Sequence, residues 1–218
     1  MAHRTAARHL LGLAVCIGVA GCAVADPTKF YALGKPVAAS TTDSRVSASI
    51  ALTPAPSSTD STGAVSIGVG PVSVPGYLRR NQIVTRTGDD QMDIAMFHQW
   101  AEPLEDGVAR VLAEEIGARV PTDRIVMYPW RGAVARAIQY QVVVVVMRLD
   151  GRRGGDVTLD TRWRILGKDG NELAFRRSTT NETATGSGYE PMIAAMTRAV
   201  AALGQEIATE IRTMPGPR

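Results

Sequence analysis

The chain has 218 residues, of which 45% are apolar, 21% charged and only 5% aromatic. That balance fits one globular domain with tethers and excludes a wholly disordered chain, a collagen-like repeat and a polytopic membrane protein. The net charge of +3 misleads: residues 1–21 hold Arg4 and Arg8 and no acid, so the remainder is close to neutral and gives no electrostatic reason to expect nucleic acid.

Arg4 and Arg8 precede the apolar run Leu10 to Ala20, which ends in Val19-Ala20-Gly21-Cys22. A basic start, a short apolar stretch and small residues at a cut site describe a secretory signal, and eleven apolar residues are too few to span a bilayer. An ordinary signal peptide that contains a Cys is one reading. The other is that the tetrapeptide resembles the lipobox of bacterial lipoproteins. That resemblance implies cleavage between Gly21 and Cys22, a diacylglyceryl group on the Cys22 thiol, and a further acyl chain such as palmitate on the new amine. Ala23 in place of an Asp then favours the outer membrane over retention in the inner one. Cys16 leaves with the signal, so the mature chain has one Cys and supports neither an internal disulfide nor a thiolate metal site.

Past the anchor, Phe30-Tyr31-Ala32-Leu33 reads as an edge strand or docking segment. Residues 36–63 have linker composition, 20 of 28 being Ser, Thr, Ala or Pro. Within them Val46, Ala48, Ile50 and Leu52 alternate as a weak strand would. Ala64 to Val74 alternates more strongly and ends in the turn Pro75-Gly76. Gln82 to Arg86 and Gln91 to Phe97 read as two short strands. A helix is expected from Pro103, with Glu105 and Asp106 near its positive end and Leu104, Val108, Val111, Leu112 and Ile116 on one face. Pro121 stops it, and Arg124 to Tyr128 is a further strand.

Gln139 to Leu149 is the strongest β signal: Val142 to Met147 is apolar on both faces, as a central strand should be. Val157 to Leu166 and Glu172 to Glu182 follow through the turns at Asp150 to Gly155 and Lys168 to Asn171. Ser187 and Glu190 have the spacing of a capping box, and Ile193, Met196, Val200, Leu203, Ile207 and Ile211 form one face of a last helix. The predicted fold is α/β of the α+β kind: a single mixed, largely antiparallel sheet with two helices packed on it, spanning residues 64–213 after a signal at 1–21 and an anchor and tether at 22–63, with 214–218 as a tail.

No catalytic constellation appears. There is no G-x-S-x-G, P-loop or H-E-x-x-H, and Glu114 and Glu115 are adjacent on a helix and do not face each other. With His3 and His9 in the signal, His98 is the only mature histidine, better read as structural than as a lone general base. Gly151-Arg152-Arg153-Gly154-Gly155 reads as a basic hairpin turn. The chain is therefore expected not to be an enzyme and to need no metal or cofactor. One stretch stands out as a candidate interface: Tyr77, Leu78, Arg79 and Arg80, with Arg86 beyond. Aromatic and Arg side chains are favoured at interface centres; the alternative is a turn in which Tyr77 caps the core.

These segments together, from the lipobox through Phe30-Tyr31-Ala32-Leu33, Val69-Gly70-Pro71-Val72, Val74-Pro75-x-Tyr77-Leu78, Asn81 to Arg86 and Trp100-Ala101-Glu102-Pro103-Leu104, resemble the PqiC family of ABC-type transport auxiliary lipoproteins. Arg80-Asn81 stands where that family usually has Arg-Pro. The resemblance implies a non-catalytic, lipid-anchored subunit on the periplasmic face of the outer membrane. Its expected partners are a PqiB-like MCE-domain protein that forms a lipid conduit, the associated membrane permease, and further copies of itself. A structural envelope lipoprotein that binds assembly factors and takes no part in lipid traffic is the alternative.

Overall fold

The computed structural model describes residues 27–34, 65–122 and 124–214. Cys22 and the alternation from Val46 to Leu52 lie outside them. The elements are β1 (Lys29–Tyr31), β2 (Ser66–Ser73), a 3₁₀ turn (Gly76–Leu78), β3 (Gln82–Arg86), β4 (Met92–Trp100), α1 (Leu104–Gly117) and β5 (Arg124–Met127). They continue with α2 (Gly132–Ala137), β6 (Tyr140–Gly151), β7 (Asp156–Gly167), β8 (Glu172–Thr183) and α3 (Tyr189–Thr213).

The strands form two sheets, not the single sheet expected: β1-β4-β3 and β5-β2-β6-β7-β8. The division falls where β2 ends. Pro71 has no N–H to give a ladder, and the register between β2 and β6 shifts between Val69 and Val72 before the pairing stops at Ser73. Pro75 and the 3₁₀ turn then carry the chain off the five-stranded sheet. β3 pairs antiparallel with β4 alone, and β1 adds to β4 in parallel. Most of the paired residues are antiparallel, as expected, and the parallel pairings are those of β1 with β4 and of β2 with both β5 and β6. The third helix, α2, was not expected. It is only six residues long and buries none of them, so it leaves no apolar periodicity to read.

The core lies between the five-stranded sheet and the helices α1 and α3. Val142, Val144 and Val146 of the central β6 face it, with Ile67 and Val69 of β2 and Leu159, Trp163 and Ile165 of β7. All six residues of the expected α3 face are buried, as are the five of α1. The capping box at Ser187 does not form: Gly188 is the extended residue before α3 and no side chain caps it. α1 and α3 cross closely at Gly204, where an added Cβ would stand 2.7 Å from the Glu115 Cβ. Gly68 has a similar task on the other face of β2, leaving room for Trp130 and Ile138, which flank α2.

Candidate functional site

The five residues singled out as a candidate interface are divided by the structure. Leu78 is buried in the core. Tyr77 packs against that core and directs its hydroxyl to Asp150 Oδ2 at 3.1 Å. Arg86, on β3, binds the same carboxylate through Nε to Oδ1 at 2.9 Å and Nη2 to Oδ2 at 3.1 Å, and its Nη1 also donates to the Asp89 carbonyl. Arg148, two residues before Asp150 on β6, adds Nε to Oδ1 at 2.9 Å. Asp150 is fully buried, so two guanidinium groups and a phenol replace its water. This cluster joins the 3₁₀ turn, β3 and β6, and so ties the two sheets together.

The electrostatics follow. Burial alone would raise the Asp150 pKa, but the hydrogen bonds and charges of Arg86 and Arg148 outweigh it and hold the carboxyl below the usual range. Burial, then the Asp150 charge, push the Tyr77 phenol up to about 12. The sequence pattern places Asp150 at the start of a turn, whereas in the structure it is a buried residue near the end of β6. The signal it left is the pair Arg148 and Asp150, two apart in an otherwise apolar strand.

Arg79 and Arg80 are exposed. Arg80 Nε donates to the Tyr77 carbonyl at 3.0 Å, which braces the turn. Both line a shallow cleft of about 220 Å³ with Asn81, Pro103 and Glu105 at the start of α1. Of the five candidates, these two present free cationic surface.

A second constellation centres on His98. Its ring stacks on Tyr189, with centroids 3.9 Å apart, and its Nδ1 lies 2.7 Å from the Tyr31 hydroxyl. Burial and the Glu190 charge raise the Tyr31 pKa. Arg153, at the β6–β7 hairpin tip, sits over the Tyr189 ring at 5.2 Å. Lys29, Glu190 and Pro191 complete a cleft of about 300 Å³. The geometry is that of a rivet between β1, β4 and α3, and among the described residues no carboxylate hydrogen-bonds His98. Trp100, at the end of the same strand, is buried in the core. Among the described residues no group of three or more His, Cys, Asp or Glu is placed to hold a metal, and no helix is long and apolar enough to cross a membrane.

The described residues thus form an α/β domain of two sheets and three helices with an exposed pair of arginines, Arg79 and Arg80, beside the 3₁₀ turn. The profile of the ABC-type transport auxiliary lipoprotein component family matches residues 49–208, and the chain belongs to that family. It is 28% identical over 158 residues to the intermembrane transport lipoprotein PqiC of Escherichia coli (strain K12), covering 72% of this chain and 81% of the relative. The PqiC of Shigella flexneri matches to the same extent. Two crystal structures share the fold. One, of an uncharacterized protein, aligns with a TM-score of 0.64 at 22% identity over 85% of this chain and 99% of its own. The other, of a Xanthomonas campestris protein, aligns at 0.56 and 14% identity, over 70% and 88%.

Proposed function

We propose that this chain is a lipid-anchored auxiliary subunit of a PqiABC-like intermembrane transport system. It docks the far end of an MCE-type lipid conduit at the periplasmic face of the outer membrane. The observation that carries the reading is the similarity to PqiC, an intermembrane transport lipoprotein, across 158 residues. The role is one of binding: the domain offers the partner the exposed Arg79 and Arg80, and the buried Asp150 cluster beneath holds the turn that carries them. Acylation of Cys22 holds the domain to the membrane, and a cyclic assembly of several copies suits a ring-shaped conduit.

Affinity capture of the acylated chain from native envelopes tests the reading. An MCE-domain protein and its permease should be recovered. Recovery of envelope assembly factors alone would overturn it in favour of a structural lipoprotein. Mass spectrometry of the mature N-terminus tests the anchor separately: an unmodified Cys22, or a cut elsewhere, would sink that part.

A further inference from the structure

The three-stranded sheet leaves β4 half covered. β1 pairs only with His98 to Trp100, so among the described residues no strand lies beside residues 92–97 on that side. On the other side, Gln82 stands opposite Gln99 but Val84 opposite Ile94, so β4 carries three more residues than β3 over this stretch. Such an excess bulges a strand. Here it brings out Ile94, Met96 and Phe97, which are 46%, 75% and 40% exposed. Phe30, 64% exposed, stands opposite Gln99 and therefore on the same face as Phe97, while Met96 takes the other face, so this edge of the sheet is apolar on both sides. Single exposed apolar residues are ordinary, whereas several along one strand and its neighbour mark an interaction surface.

We infer that this edge of the three-stranded sheet rests on a phospholipid surface, with Phe30 and Phe97 from one face and Met96 from the other entering the boundary between headgroups and acyl chains. Lys29 and Arg153, which line the adjoining cleft, face anionic headgroups; the acids nearby are Glu190 in that cleft and Asp93 at the far end of the bulge. The inference rests on the reading of Cys22 as the lipid anchor. Seven residues lie between Cys22 and Phe30, so the eight steps from one to the other span at most about 28 Å of extended chain. An acylated Cys22 therefore keeps Phe30 within that reach of the bilayer. Other exposed apolar residues, among them Met127, Tyr128, Val145, Met147, Leu173 and Phe175, lie on or beside the five-stranded sheet and have no such tether.

The mature chain contains no Cys besides Cys22, so an introduced thiol is unique once Cys22 is acylated. The test places an environment-sensitive fluorophore on Met96→Cys, Phe97→Cys or Phe175→Cys. Each acylated full chain is reconstituted in vesicles of phosphatidylethanolamine and phosphatidylglycerol containing doxyl-labelled lipid. Probes at positions 96 and 97 should be blue-shifted and quenched at least roughly threefold more than the probe at 175, as expected for groups seated in the interface. Equal, weak quenching at all three positions overturns the inference. So does a blue shift at 96 and 97 without doxyl quenching, which means that protein covers the patch. Two fluorophores per chain would reveal a free Cys22 and overturn the anchor reading itself.

Discussion

Arg86 reaches from β3 to Asp150 on β6 and grips both carboxylate oxygens, at 2.9 and 3.1 Å. Removing one partner of a buried ion pair leaves the other charge without water, typically costing 3–5 kcal/mol. Arg148 and Tyr77 remain on Asp150 when Arg86 is lost, so Arg86→Ala should cost about 3 kcal/mol, the lower end of that range. Arg148 is 40% exposed, and Arg148→Ala should cost less. Urea denaturation of the two variants checks the order. Equal losses below about 1 kcal/mol, the scale of a surface pair, would refute the hub.

The same cluster shapes the dependence on pH. The folded pKa of Asp150 is lowered, so its contribution is fully present above the unfolded carboxyl value of about 3.9 and is lost as pH falls through the folded value. Asp160, held low by the hydrogen bond and charge of Arg177, adds in the same direction. Tyr77 works at the other end. Its folded pKa is raised to about 12, so stability is intact below the unfolded value of about 10 and declines as pH rises toward the folded one. Denaturation midpoints across pH should show both limbs. Asp150→Asn should flatten the acid limb and Tyr77→Phe the alkaline one; unchanged limbs in both variants would contradict the assignment.

Gly204→Ala tests how tightly α1 and α3 cross. Alanine favours a helix by about 1 kcal/mol over glycine, but the new methyl would meet the Glu115 Cβ at 2.7 Å. Overpacking typically costs 1–3 kcal/mol, so the variant should have a lower melting temperature despite its better propensity. A higher one would show that the helices part easily.

Arg79→Glu combined with Arg80→Glu separates binding from folding. Both side chains are exposed, and exposed charges usually contribute under about 1 kcal/mol. Thermal stability should stay nearly unchanged while capture of the conduit partner, or self-assembly, is lost. Wild-type capture by this double variant would move the search for the docking surface to Arg152 and Arg153 at the hairpin tip.

Local patterns carried much of the fold. An unbroken apolar run marked β6, alternation marked β7, the turn at Lys168 to Asn171 set off β8, and the stepping from Ile193 to Ile211 marked the buried face of α3. The division into two sheets was not legible in the same way. It depends on β1 meeting β4 across 69 residues of chain, Lys29 against His98, and on β2 ending its ladder at a proline bulge. The Asp150 cluster was hidden for a related reason. Its partners Tyr77 and Arg86 are 73 and 64 residues away, so no local spacing announces them, and the sequence Asp-Gly reads as a turn. Among the candidate interface residues, spacing could not tell that Leu78 points inward while Arg79 and Arg80 point outward.

The short parallel strand β1 has a mechanical consequence. A pull on the N-terminal side of the domain enters the structure at Lys29, and only three residue pairs join β1 to β4. The load is then shared by fastenings of other kinds: Tyr31 against His98, the Ala101 N–H donating to the Tyr31 carbonyl at 2.7 Å, and the Leu33 carbonyl held by Arg110 Nη2 at 2.7 Å. Leu33 itself is buried. Tension drawn through this end is thus passed by Arg110 into α1 as well as into β4, so a domain hung by its leading end would share the load between a helix and a strand.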